Sequence, residues 1–332
     1  MSTGNSAYAT TDFTAFAIEQ VLKRDWAFQW TFASPLLACI KDSGLRWNKG
    51  FKVLGLKGLI PIAMDDMTDP PAGVADPNEL TADTPRVTNG FSGAAYDYCH
   101  IRRGFTVRSS ENMLAINGAR GNLLDGKVKQ LMASFRNVAA NMIAGSANAS
   151  RTSLIGLQYL LNTANSPGGI SQATDTWWQA QTTASIGNIN LPTINNAYDS
   201  ITRFAGESGD PDAPDLLILS SLGSGGSNPN VYGRFRELIA PAERIVNAEF
   251  QAKYGFSNFT YMNMKCVQSH REASGTVYML TTKTFYYGGF DRPQALQTIR
   301  IPHTDAEERY YNMWSFVGCD EIRRNWKGTG AT

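Results

Sequence analysis

Phe51-Lys52-Val53-Leu54-Gly55-Leu56-Lys57-Gly58-Leu59-Ile60-Pro61-Ile62 is a β-prone run, and a second follows over 94–108 with Tyr96, Tyr98, His100, Ile101, Phe105 and Val107. The tract between them, 65–93, is rich in Pro, Asp and Gly and cannot continue a sheet. The pattern predicts a long two-stranded hairpin with an irregular tip. At about 3.3 Å per residue, strands of roughly 12 to 14 residues would project about 40 Å. An isolated ribbon of two strands is marginal in water, so something outside it must hold it. Its tip is acidic, with Asp65, Asp66, Asp69, Asp76, Glu79 and Asp83 all preceding the first basic residue, Arg86. Such a tip is either a solvated loop or an electrostatic dock for a basic patch on another subunit.

Upstream, residues 1–50 read as an arm. Thr11-Asp12 can cap a short helix carrying Phe13, Phe16, Ala17 and Val21, after which Trp26, Phe28, Trp30 and Phe32 alternate. Four large aromatics on one side of an extended segment need a surface to cover, in this chain's own core or on a neighbour. Downstream, Leu124, Val128, Leu131, Phe135, Val138 and Met142 recur at helical spacing and predict a spine helix over 121–144. A mostly irregular stretch covers 151–182. Asn190-Leu191-Pro192 then opens a helix with Ile194, Tyr198 and Ile201 on its apolar side. A buried strand over 215–221, a glycine-rich turn and a helix over 229–239 follow. Strand-like runs occupy 259–268, 276–287 and 295–302. The final run, 310–326, would be roughly 55 Å long if extended, so it must bend or serve two sheets. The fold class is α+β.

The chain has 332 residues, with 30 Lys plus Arg against 29 Asp plus Glu. A net charge of +1 argues against a polyelectrolyte binder, which needs surplus cations to displace counterions. A charged fraction of 18% leaves a surface that repels its own copies weakly. No apolar run approaches a membrane span, and the polar N-terminus lacks a signal peptide's charged and apolar blocks, so a cytoplasmically made protein is expected. Cys39, Cys99, Cys266 and Cys319 are scattered and read as free thiols. Neither Cys99-His100 nor Cys266 with His270 has the CxxC partner of a zinc site, so no metal is predicted.

Catalytic chemistry has no constellation behind it. The turn Gly223-Ser224-Gly225-Gly226-Ser227 follows a buried strand, but GxGxxG would need glycine where Asn228 stands. Gly206-Glu207-Ser208-Gly209 falls one residue short of a nucleophile elbow. His100, His270 and His303 read as structural. No catalytic residue and no cofactor is expected. The rival readings are an α/β nucleotide-binding enzyme using the 223–227 turn and a monomeric binding module.

Arg103-Gly104-Phe105-Thr106-Val107-Arg108, then the spine helix, Leu154-Ile155-Gly156-Leu157-Gln158-Tyr159-Leu160-Leu161, Gly168-Gly169-Ile170 and Trp177-Trp178-Gln179 follow one another in an order that resembles tailed-phage major capsid proteins with the Hong Kong 97-type fold. The resemblance implies an N-terminal arm (1–50), an extended hairpin or E-loop (51–110), a spine helix and peripheral domain (111–190), an axial domain (191–294) and a closing peripheral strand (295–332). It implies hexamers and pentamers of this one chain in an icosahedral or prolate virion shell, enclosing double-stranded DNA without sequence-specific contacts or a membrane. Portal, scaffolding or decoration proteins are the further partners it implies. A chain that starts with the arm leaves no room for a fused scaffolding segment, so any scaffold is expected to be separate. Lys52 and Lys57 lie in the hairpin, but no local motif marks them for the covalent crosslinks of some relatives. In self-association, the six tip acids are expected to face Arg102, Arg103, Lys127 or Lys129 of another subunit, while Trp26, Phe28, Trp30 and Phe32 anchor the arm.

Overall fold

The computed structural model describes residues 34–44, 46–63, 91–108, 120–205, 213–224, 230–239, 251, 258–289, 294–300 and 306–332. Three sheets organise them. Strands β1 (Lys52–Leu54), β2 (Lys57–Ala63) and β3 (Phe91–Asp97) form a three-stranded antiparallel sheet. Strands β4 (Cys99–Arg108), β10 (Phe285–Gly289) and β11 (Gln294–Arg300) all pair antiparallel with β12 (Ala306–Cys319), the long central strand of the second sheet. The third sheet has the order β5-β13-β9-β6-β8-β7, from β5 (Gln181–Thr183), β6 (Leu216–Ser220), β7 (Asn258–Tyr261), β8 (Met264–Ser269), β9 (Val277–Leu280) and β13 (Trp326–Gly328). The mixture of helices and sheets is the expected α+β class.

The central strands of the six-stranded sheet are buried on both faces, and the period of two along them divides the core. Leu216, Ile218, Val267, Tyr278 and Leu280 face one cluster, which also holds the second sheet and the hairpin base. Leu217, Leu219, Cys266, Val277 and Met279 face the other, shared with two helices. This is why Leu216–Ser220 reads as an unbroken apolar run.

Helix boundaries follow local chemistry. Helix α1 (Pro35–Ser43) has proline in its first turn and ends at Gly44, whose φ of 63° suits the left-handed cap that hydrogen-bonds the Ile40 carbonyl. Helix α2 (Arg120–Ala144) is the spine, 25 residues and roughly 37 Å long. Val128, Leu131, Met132, Phe135, Ala139 and Ile143 form its buried face, whereas the expected Val138 and Met142 are half-buried flanks. Leu157–Leu160 makes a one-turn helix, α3. Helix α4 (Leu191–Ala205) starts where Asn190 accepts the Thr193 N–H at 2.8 Å, and α5 (Val231–Leu238) where Asn230 accepts from Tyr232 and Gly233.

Three expectations need correction. The second run of the hairpin is split at Tyr98: β3 pairs with β2, but β4 leaves the ribbon to pair with β12 over ten residues. The first run also folds back at Gly55-Leu56, whose glycine has a φ of 62°, so β1 is a third strand. Over the described residues the β2–β3 pairing spans seven residues, roughly 23 Å. The described part of the expected arm, 1–50, packs on the chain's own body. Residues Pro35–Ile40 are buried, and Trp47 bridges β10 while stacking on Tyr287 at 4.0 Å. The runs 259–268 and 276–287 each hold two strands, separated by Met262-Asn263, both at positive φ as a tight hairpin turn requires, and by a 3-10 turn at Thr282–Thr284.

The last run does serve two sheets. β12 ends at Cys319, a 3-10 turn at Ile322–Arg324 redirects the chain, and β13 enters the third sheet. Buried Asn325 holds the crossing: its Oδ1 accepts the Thr281 N–H at 3.0 Å, and its Nδ2 donates to Thr284 Oγ1 and the Glu321 carbonyl. The chain crosses back at the same place, between Leu280 and Phe285, where Asp215 Oδ1 accepts the Thr282 N–H at 2.7 Å.

Candidate assembly surface

The hairpin base is built into the body. Ile60, Ile62, Ala94 and Tyr96 alternate onto one face of the β2–β3 pair and are at most 2% exposed. Beneath them lies β12. Glycine at 318 makes room for Ile60 and Tyr96, glycine at 58 makes room for the Phe316 ring, and the Tyr96 hydroxyl donates to the Cys319 carbonyl at 3.0 Å. The ribbon is thus held from outside, but by its own chain.

The other end of this small sheet is different. Val53, Leu54 and Leu56 are 62%, 70% and 43% exposed around the β1–β2 turn. β1 is also an edge strand, since β2 occupies one side and no other strand among the described residues pairs with it. An exposed apolar edge strand is a ready template for another chain. Sequence reading placed these residues in a ribbon strand and missed this corner. The signal available was the pair Gly55 and Gly58, the first turning the chain and the second admitting a neighbour's ring.

The expected basic partners are clustered on β4 and the first half of α2. Arg102 and Arg103 are both exposed, and the Arg102 guanidinium lies 4.1 Å from the centroid of the Tyr310 ring. Lys127 is already engaged, donating from Nζ to the Thr106 carbonyl at 2.7 Å and so fastening the spine to β4. Lys129 is exposed two residues, about half a turn, further along α2. The tip acids Asp65, Asp66, Asp69, Asp76, Glu79 and Asp83 and the aromatics Trp26, Phe28, Trp30 and Phe32 lie outside the described residues.

The short motifs between 151 and 182 are framework rather than binding groups. Gly168, at a φ of 67°, passes so close to Ala94 and Tyr96 that a side chain there would strike them. Trp178 is buried and its Nε1 donates to the Pro167 carbonyl. Buried Gln172 ties the segment together, donating to the Leu160 carbonyl at 2.7 Å and accepting from the Ala180 N–H at 2.8 Å. This turn therefore supports the hairpin base from the side opposite the solvent.

The rival sites gain nothing from the geometry. The third sheet is mixed, with only β6–β8 and β5–β13 parallel, and is not a doubly wound nucleotide-binding sheet. Gly223 is buried, and the Ser224 N–H is spent on the Ala331 carbonyl at 2.8 Å rather than offered to a phosphate. Residues 206–209, 225–229 and His303 lie outside the described residues. His100 stacks on Trp314 with ring centroids 4.3 Å apart, and His270 is exposed. The four cysteines are buried and free, and burial pushes the Cys99 thiol up to about 12. Among the described residues no three His, Cys, Asp or Glu gather as metal ligands, and no helix is long and apolar enough to cross a membrane.

No family model matches the sequence, and no curated protein matches it. The fold has clear relatives among solved structures. A capsid protein of cyanophage A-1(L) is 15% identical with a TM-score of 0.60, over 90% of this chain and 92% of that one. The capsid of a native GTA particle is 11% identical with a TM-score of 0.54, over 84% and 86%. The SrpI encapsulin of Synechococcus elongatus PCC 7942 is 10% identical with a TM-score of 0.52, over 90% and 88%. This chain has the fold of shell-forming proteins. That fold is the Hong Kong 97-type capsid fold implied by the order of its motifs.

Proposed function

We propose that this chain is the major capsid protein of a tailed bacteriophage, a structural and non-enzymatic subunit that assembles with copies of itself into a closed shell around double-stranded DNA. The observation that carries this reading is the agreement with the cyanophage capsid protein across nine tenths of both chains, which leaves little of either unaccounted for. The exposed corner at Val53, Leu54 and Leu56 supports it, because an apolar edge gains burial when another copy covers it. Head-to-tail contacts between unlike patches generate rings, and rings joined through further contacts make shells.

In this reading the chain resides in the virion, as hexamers and pentamers. The N-terminal segment, 1–50, acts as an arm anchored by Trp26, Phe28, Trp30 and Phe32. The acidic tip meets Arg102, Arg103 and Lys129 of another copy, with Lys127 shared with its own β4. Portal, scaffolding or decoration proteins complete the particle. Electron microscopy of the expressed chain, alone or with its neighbours in the genome, is expected to show closed shells of uniform diameter. A monomer at high concentration overturns the proposal. Because an encapsulin shares the fold, nuclease-resistant double-stranded DNA inside native particles supports the phage reading, and a protein cargo in its place overturns it. Neutralising the six tip acids is expected to lower particle yield and its sensitivity to salt; unchanged yield overturns the electrostatic dock.

A further inference from the structure

Strands β5 and β13 and the turn after α3 line an open cleft of about 190 Å³. Its polar lining is Lys327, Asn162, Thr163, Thr182, Thr183 and Thr329, and contains no aspartate or glutamate. The strands fix the arrangement: Lys327 is the parallel partner of Thr182, so lysine and threonine rise side by side on one face.

The donors in this cleft are unspent. Asn162 Oδ1 accepts from the Ala164 N–H at 3.1 Å, which leaves its amide NH₂ as the free end. Thr163, Thr182 and Thr329 make no side-chain hydrogen bond, and Lys327 no ion pair, among the described residues. Partial burial holds the Lys327 ammonium below the ordinary lysine range. A half-buried cation facing hydroxyls and an amide, with no carboxylate, is a site short of an anion.

We propose that this cleft binds a phosphate group, with Lys327 supplying the charge and the threonine hydroxyls and Asn162 the hydrogen bonds. A tetrahedral phosphate has enough acceptor oxygens for several of these donors at once, whereas a carboxylate has two. The inference rests on the cleft alone and stands whether or not the chain forms a shell.

The test is the rate at which Lys327 is acetylated in the purified full chain, read by mass spectrometry against exposed Lys52 as internal control. Inorganic phosphate is expected to slow Lys327 by the factor 1 + [phosphate]/Kd, about fivefold at four times Kd, with Lys52 unchanged. Chloride at matched ionic strength should leave both rates alone. A short deoxyoligonucleotide distinguishes the source: protection by it as well assigns the site to a phosphodiester, and protection by the free ion alone assigns it to inorganic phosphate. Thr163→Val and Thr182→Val, which keep the shape and remove one hydroxyl each, are expected to raise Kd about fivefold to tenfold. Equal effects of phosphate and chloride on Lys327, equal slowing of Lys52, or a Kd indifferent to both valines overturns the proposal.

Discussion

The two ends of the hairpin sheet are made of the same kinds of residue and have opposite fates. Ile60, Ile62, Ala94 and Tyr96 at the base are sealed against β12, while Val53, Leu54 and Leu56 at the corner stand in water. Composition and alternation do not separate them. What separates them is whether a glycine on the facing strand lets the ribbon close onto its own chain, as Gly318 does beneath the base. Burial at the base is spent on folding, and burial at the corner remains available for association. The contrast can be broken by experiment, because the two ends should fail in different assays.

The largest effect is expected at the base. Tyr96→Ala removes a fully buried ring and the hydrogen bond to the Cys319 carbonyl, and should destabilise the folded chain by about 3–5 kcal/mol in chemical denaturation. Loss of shells without loss of stability in this variant would erase the distinction between the two ends.

A second probe asks how the interior treats a polar group. Glu272, in the loop after β8, is largely desolvated, which raises its carboxyl to about 8 from an ordinary 4.5, and its Oε2 has no partner among the described residues. The folded chain keeps a proton there that the unfolded chain has released. Its stabilising share is therefore complete below pH 4.5, shrinks as pH rises and is gone above about 8. Between pH 5 and 8 the native chain should lose about 1–3 kcal/mol more than Glu272→Gln, which stays neutral throughout. Parallel melting curves against pH would show that water reaches this carboxyl.

Most of the framework is legible in the sequence because local rules agree with the tertiary outcome. The spine helix declares itself by its apolar stripe, α4 by Asn190 and Pro192, and the buried β6 by its unbroken apolar run. The excessive length of 310–326 implied either a bend or a second sheet, although not that Asn325 would hold the crossing. What local patterning could not show is which strand a run pairs with. The residues on either side of Tyr98 look alike, yet β3 joins β2 and β4 joins a strand some two hundred positions away. Pairing of that kind is decided by shape on the facing strand, including glycines at 58 and 318, and not by propensity. The exposed corner was hidden for the same reason. The basic residues were found, but their own attachments, Arg102 to Tyr310 and Lys127 to Thr106, become visible only when β4 and α2 are side by side.

A smaller loss is expected where the base meets its neighbour. A β-carbon at residue 58 would overlap the Phe316 ring, so Gly58→Ala should cost about 1–3 kcal/mol as the ring is pushed from β2. Phe316 also packs edge-on against Phe51 and Tyr98, at 4.8 and 4.9 Å between centroids, so the displacement has little room to dissipate. A thermal midpoint equal to that of the native chain would mean that the ribbon can lift off β12 freely, and that the base is less committed to its own chain than its burial implies.

The smallest effect on folding should accompany the largest effect on assembly. Leu54 is 70% exposed, so Leu54→Asp removes almost no intramolecular burial and should leave denaturation within about 0.5 kcal/mol of the native chain. If another copy covers this edge, each contact loses the transfer energy of a leucine, roughly 1.5–3 kcal/mol, and must also desolvate a carboxylate. Because a closed shell repeats the contact at every subunit, even the lower figure should move the protein from particles to capsomers or monomers in sedimentation. Leu54→Ala, which trims the side chain without adding charge, should fall between the two. If Leu54→Asp sediments as native particles, β1 is an ordinary solvated edge, and the apolar exposure that sets this corner apart from the base has no role in association.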